Sequence, residues 1–509
     1  MRWEINGGRC TLNALLVIVF LGLPQVNAAG AGSLYAGVAK AEITDRTAGP
    51  VNDPLYVKAL VVKNASTTVA IITVDAVAIG EIGRIGNDYL PAVRSKLQSE
   101  LNIQPQNVLV NASHCHGVVC PDVAEKTFQA VSEASQNLVP VVVGAGFGHE
   151  DRIMENRRFT MKNGTESDSR HAYSLPPDED IAGVGPVDPQ IGVLRLDKKD
   201  GKTLAAVYNF ACHPIQTVPS GGNTADITGF ASKVIEDNLG DGAMAFFLQG
   251  CAGDINPAFY KDVDHPRDAE PLGNKLGLST LAALRSLECR EDSRLMSINQ
   301  VIKLPRADLS QSISGLEADR MRLLESLKGT SLNLKTFLPL AVKYSLSDEF
   351  PSYYAHRYLH EEQTGRDDLK RLDAENRANI QNYIQNIHSM EELTRLQTNL
   401  ELLRKHQAAN TAAAASTIAV ELMGLRIGDF VLVTFPGELT VQIGLNIKKA
   451  SPHPLTFVAG CTNGYIYYAP TAEQLRNRGR AQEDSDCLLA PEWHALYETK
   501  VAELLKALE

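Results

Sequence analysis

Clusters of positive charge are missing from this 509-residue sequence. Lysine and arginine number 49 against 60 aspartates and glutamates, a formal net charge of −11, and they are not gathered into runs. Nucleic acid is excluded as the main partner, because neutralising phosphates needs a basic face. Long apolar runs are missing too. The stretch "ALLVIVFLGL" (14–23) is about half as long as the roughly 20 apolar residues that cross a bilayer, and no other segment approaches that length. It follows a short charged start with Arg2 and Arg9 and precedes the small residues "QVNAAGAG". That order reads as an export signal over residues 1–28, cut after Ala28, and predicts a periplasmic or secreted protein with no stable membrane span. Internal repeats and low-complexity tracts are absent, which excludes solenoids. Cysteine is scarce: of eight, Cys10 lies in the signal, and the odd seven left leave at least one free thiol. Cys461 and Cys487 are close enough in sequence to pair, but a chain of this length does not need a bridge to fold.

What is present is ordinary globular composition, 44% hydrophobic and 21% charged. Strand-like and helical stretches alternate. "TVAIITVDAV", "NVLVNAS", "TLAAVYNFAC" and "AMAFFLQGC" read as strands, "DYLPAVRSKLQSELN" and "DITGFASKVIEDNL" as helices. Asp226 falls at or near the N-cap of the second helix. The expected class is α/β, with α+β as the alternative: one mixed sheet covered by helices, in a single domain over 29–509. From about 306 to 412 the text turns to amphipathic helix, an inserted arm whose polar composition offers little sustained apolar surface and so weighs against long acyl chains.

Polar clusters stand where strand-like text ends, the position at which α/β proteins place their sites. His114 and His116 follow "NVLVNAS"; in extended backbone residues i and i+2 face the same side, so both imidazoles can address one cavity. His213 ends another strand in "NFACHPIQT", and Asp254 and Asn256 lie in "LQGCAGDINPAF". Glu438 stands in "VTFPGELT" before a helix, and the tyrosine-rich turn "CTNGYIYYAPT" contains Tyr468. Two imidazoles, a carboxylate and a phenol would suit zinc. Each also has a structural reading: His213 as a satisfied buried histidine, Glu438 as an acid favoured by a helix dipole, Tyr468 as core, Asp226 and Asp254 as caps or turn residues.

The order "SHCHG", "FACHP", "GDINP", "GELT", "NGYIYYAPT" resembles the catalytic domain of the neutral ceramidases, zinc amidases that release the fatty acid of ceramide. The resemblance spans roughly residues 34–490 outside the helical insertion. It implies one Zn²⁺ per chain held by His114, His213, Glu438 and Tyr468, with His116, Arg157 (in "MENRRF") and Tyr468 as catalytic residues and Asp226 as support. It also implies a small-molecule substrate derived from a lipid or a glycan. Asn256 stands where the family carries a serine, so it would donate a hydrogen bond to an oxyanion but not act as a nucleophile. A later family tyrosine has become the stretch around Arg480, and the family's C-terminal β-sandwich is not expected before Glu509. The resulting expectation is an exported zinc-dependent hydrolase that cleaves an amide (N-acyl) bond by zinc-activated water, on a target other than ceramide. The alternatives are a zinc enzyme acting on a carbohydrate, as lyase or deacylase, and a non-catalytic zinc-containing binding protein. Oligomeric state is not legible. An Asn-x-Ser motif at Asn111 is too close to the site for a glycan.

Overall fold

The computed structural model describes Met1, residues 33–170 and residues 172–509; the expected export segment, Met1 apart, lies outside them. An eight-stranded sheet runs, in spatial order, Met244–Gln249, Thr203–Phe210, Gln190–Lys198, Val139–His149, Leu34–Glu42, Tyr56–Lys63, Thr68–Val74 and Val108–Ala112. The pair at each edge is parallel and the interior pairs are antiparallel, so the sheet is mixed.

The expected mixed α/β sheet covered by helices is present, and its helices lie on one face only. A second sheet, Leu295–Pro305, Thr417–Ile427, Phe430–Thr434 and Thr456–Ala459, stacks on the first. Val207, Phe246 and Leu248 of one sheet meet Leu425, Leu432 and Phe457 of the other in one buried cluster. Each such side chain contributes about 1.5–3 kcal/mol by leaving water. Strands apolar on both faces need two covers, and here one cover is a sheet rather than a helix. The outer face of the large sheet carries Tyr89–Leu101 and Val123–Gln136 on one half, and Asp226–Leu239 and Ala269–Arg285 on the other. Contact there is close: a Cβ on Gly37 would stand 2.0 Å from the carbonyl oxygen of Ala134. Val441–Ala450 and Trp493–Ala507 cover the outer face of the second sheet, with Trp493 and Tyr497 fully buried. The class is therefore mixed α/β in four layers, helix, sheet, sheet, helix.

Buried amides sew the two sheets together where their strands end. Asn111 Nδ2 donates to Gly460 O and Thr462 Oγ1, both at 2.8 Å, and its Oδ1 accepts from Gln249 N at 2.9 Å. Asn209 Nδ2 bridges Leu248 O and Val458 O. Asn111 is 0% exposed, so its glycosylation motif is unusable in the folded chain.

Four helices, Ser310–Ser326, Leu334–Leu346, Ala355–Gln363 and Asp368–Ala412, lie in sequence between two strands of the second sheet. His406 Nε2 meets Asp486 at 2.5 Å, and Arg480 pairs with Asp319 at 3.2 Å. The polar character expected of this arm is corrected in one place. Leu334, Leu338, Val342 and Leu346, four residues apart in series, are all exposed. That spacing puts them on one face of the helix Leu334–Leu346. No helix among the described residues is long and apolar enough to cross a membrane.

Candidate active site

The parallel pairs of both sheets deliver their C-terminal ends to one place. Val108–Ala112 leads to His114, Thr203–Phe210 to His213, and Phe430–Thr434 to Glu438. Thr456–Ala459 leads to the tyrosine turn. His114, His213 and Glu438 are buried, with one ligand atom of each inside 4.8 Å of the others. Glu438 Oε2 lies 2.8 Å from His213 Nε2 and 3.3 Å from His114 Nε2. The other ring nitrogens face backbone carbonyls, His114 Nδ1 on Val77 O at 2.6 Å and His213 Nδ1 on Ile255 O at 3.0 Å. A carbonyl only accepts, so both Nδ1 atoms carry hydrogen and both Nε2 atoms turn toward the Glu438 carboxylate, where a bound metal would take the place of any Nε2 proton, the second-shell arrangement of zinc histidines.

Electrostatics point the same way. Burial works against charge on Glu438, but His114 and His213 together hold its pKa well below the usual value. Burial also works against a proton on His114, yet Glu438 and the Cys461 thiol, 3.7 Å from Nδ1, raise its pKa well above normal. Burial lowers that of His213. A buried carboxylate of this kind requires a positive partner, a role that one imidazolium fills and a divalent cation fills equally well. The nitrogen and oxygen donors suit zinc.

Tyr468 is fixed by register. Glu438–Leu439 pairs in parallel with Tyr468–Ala469, Glu438 opposite Tyr468, and the tyrosine ring stacks toward His213 with centroids 6.5 Å apart. Glu438 thus sits in a short strand before the helix Val441–Ala450 rather than in its first turn. Arg157 is 4% exposed and stands over Tyr468, 5.4 Å from the ring centre. Its Nε donates to Glu483 at 2.8 Å and its Nη2 to Gly253 O at 2.6 Å. Arg158 takes the second oxygen of Glu483 at 3.0 Å. Asn256 does not line the cavity; it lies behind Arg157, its Oδ1 accepting from Nη1 at 3.4 Å.

His116 lies at the mouth with exposed surface, yet the surrounding wall withdraws enough water to lower its pKa to about 4, with the nearby His114 and His213 adding to the effect. Asp226 accepts from Gln216 N, Thr217 N and Ile227 N, so it ties the loop after His213 to the start of Asp226–Leu239, where Ala225 is the N-cap. Burial raises its pKa to about 6. Asp254 accepts from Val441 N at 2.8 Å and anchors the helix that follows Glu438.

Sequence reasoning missed Tyr465, whose hydroxyl donates to Glu438 Oε1; its signal was membership of the same tyrosine turn. Glu483 was also missed, and nothing local marks a residue that meets Arg157 across more than 300 positions. All seven cysteines among the described residues are free, Cys461 and Cys487 included. Strain gathers here as well. His114 (φ 68°), Thr217 (63°), Asp226 (58°), Cys461 (46°), Asn463 (57°) and Tyr467 (66°) are left-handed without being glycine. Each costs on the order of 1–3 kcal/mol, which the surrounding bonds must offset.

The site opens into a cavity of about 600 Å³ lined by His114, His116, Arg157, His213, Asp226 and Tyr468, and further out by Arg170, Tyr260 and Arg267. This volume suits a small molecule.

No protein-family model matches the chain, and no curated protein matches it in sequence. Solved structures do match. A neutral ceramidase from Pseudomonas aeruginosa is similar over 94% of this chain and 74% of its own, with a TM-score of 0.59 and 15% identity. A ceramidase solved in complex with C2 covers 94% and 75%, with a TM-score of 0.58 and 17% identity. The chain therefore has a neutral ceramidase-like fold, with a possible two-histidine, one-carboxylate metal site at the ends of its parallel strands.

Proposed function

We propose that this chain is a zinc-dependent hydrolase that cleaves an amide (N-acyl) bond, is exported from the cell, and acts on a molecule other than ceramide. The observation that supports it best is the convergence of two oriented imidazoles on one buried carboxylate beneath an open cavity. His114, His213 and Glu438 would hold the metal, with Tyr468 beside them. Bound zinc supplies Lewis acidity toward a carbonyl oxygen and lowers the pKa of water. The chain's own residues do the rest. The carbonyls of Val77 and Ile255 fix the histidine tautomers, and Tyr465 holds Glu438. Arg157, pinned by Glu483 and Gly253, places fixed positive charge beside Tyr468, where it can stabilise a developing oxyanion. Asn256 supports Arg157 from behind, so the missing serine hydroxyl leaves that charge in place.

Metal content by plasma mass spectrometry, on the purified protein and on His213→Ala, tests the reading. About one zinc per chain is expected, lost in the variant, together with release of fatty acid from N-acyl substrates. Absence of zinc in both proteins would sink it. A second reading, an enzyme acting on a carbohydrate, is favoured by the arginine and tyrosine wall of the cavity. Zinc without amide cleavage, but with turnover of a glycan, would select it.

A further inference from the structure

The cavity is cationic in an acidic protein. Arg157, Arg170 and Arg267 line it, and Asp226 is the one carboxylate among the described lining residues. Arg157 is held in an ion pair with Glu483, which Arg158 shares, but the other two differ. Arg170 and Arg267 enter no ion pair among the described residues. Arg267 spends Nη2 on Ile215 O at 2.6 Å and lays its guanidinium 5.0 Å from the Tyr260 ring centre. Arg170 rests 5.8 Å from the Tyr173 ring centre. Arg267 Nε and Arg170 Nη1 are buried without a hydrogen-bond partner among the described residues. Asp168, close enough to feel Arg170, already accepts from the Tyr173 hydroxyl and from Gln482 N at 2.9 Å. Asp226 is committed to its three backbone donors.

We infer that Arg170 and Arg267 form an oxyanion subsite in the cavity, and that the substrate carries a carboxylate in the same molecule as the bond to be cleaved. This rests on the hydrolase reading for the bond, but not for the binding. A guanidinium recognises a carboxylate through paired N–H donors, which the stacked tyrosines keep in place. The same carboxylate occurs in an N-acyl amino acid and in an acidic sugar.

Calorimetric titration of the zinc-free protein separates these sources with two matched pairs. One is N-dodecanoylglycine against N-dodecanoylglycinamide, the other methyl glucuronide against its carboxamide. Within at least one pair the acid is expected to bind about tenfold tighter or better, the preference shrinking as salt rises. Arg170→Gln and Arg267→Gln should each reduce it, and Arg170→Lys should keep part of it, which distinguishes lost charge from lost folding. A preference in the first pair assigns an acylated amino acid, in the second an acidic sugar. Equal binding within both pairs, or binding of none of the four, overturns the subsite. Zinc content and turnover are measured separately. A protein without zinc that still prefers the acid therefore sinks the hydrolase and leaves the subsite standing.

Discussion

Replacing Tyr465 by Phe deletes one oxygen and leaves the ring, 6.4 Å from His114 and 5.4 Å from Tyr467, in place. The lost oxygen is the donor to Glu438 Oε1, both groups being buried. Two routes give the size of the effect. A hydrogen bond to a charged group contributes about 1.5–3 kcal/mol. Loss of a partner that orients a metal-binding group costs 10–100-fold in metal affinity, about 1.4–2.8 kcal/mol. The two agree, so zinc affinity should fall by roughly that factor while the fold is retained. Competition against a chromogenic chelator measures it. Tyr467→Phe is the control, since that ring packs on His406 and under Lys405 rather than on Glu438. If Tyr465→Phe and Tyr467→Phe hold zinc as tightly as the parent, Glu438 is not positioned through its second oxygen, and the reasoning fails.

Asn111→Ala should destabilise the chain by about 2–4 kcal/mol, because Gln249 N–H is orphaned while Gly460 O keeps its bond from Thr462; a denaturant midpoint reports it. Gly437→Ala would bring a Cβ to 2.6 Å from Tyr467 O, next to Glu438. It should cost at least about 2 kcal/mol and reduce zinc content, read by melting and metal analysis. Asp75 supplies a pH test. Burial lifts its folded pKa from 3.8 to about 6, so the folded chain binds this proton more tightly than the unfolded one. Its contribution is full at acid pH and is lost as pH rises from about 4 through 6. Asp75→Asn, which keeps an acceptor for Tyr56 N, should therefore gain on the parent by up to about 3 kcal/mol across that window, then stay level. A difference independent of pH would refute the assignment.

Much of the site was legible in the sequence because each of its three clustered polar residues follows a strand. An apolar run that stops at a histidine or an acid carries the signal within ten residues, as at His114, His213 and Glu438. Arg157 showed through its resemblance to a family motif rather than through chemistry. Arg170 and Arg267 carried no signal, since an arginine's role depends on which carboxylates happen to be near.

The sequence by itself determined the alternation of strands and helices, the inserted helical arm, and the five polar clusters, because hydrophobic period and turn chemistry are local. Only the tertiary structure decided that strands apolar on both faces are covered by a second sheet, since periodicity does not distinguish the two kinds of cover. It alone decided that the Tyr465 hydroxyl reaches Glu438 and that Tyr468 stands opposite Glu438 in the register of two short strands. It alone placed Asn256 behind Arg157 and set Arg170 and Arg267 in the cavity wall without an ion pair among the described residues. Those facts depend on side chains that meet across hundreds of residues, and charge and hydrogen bonding act through space, not along the chain.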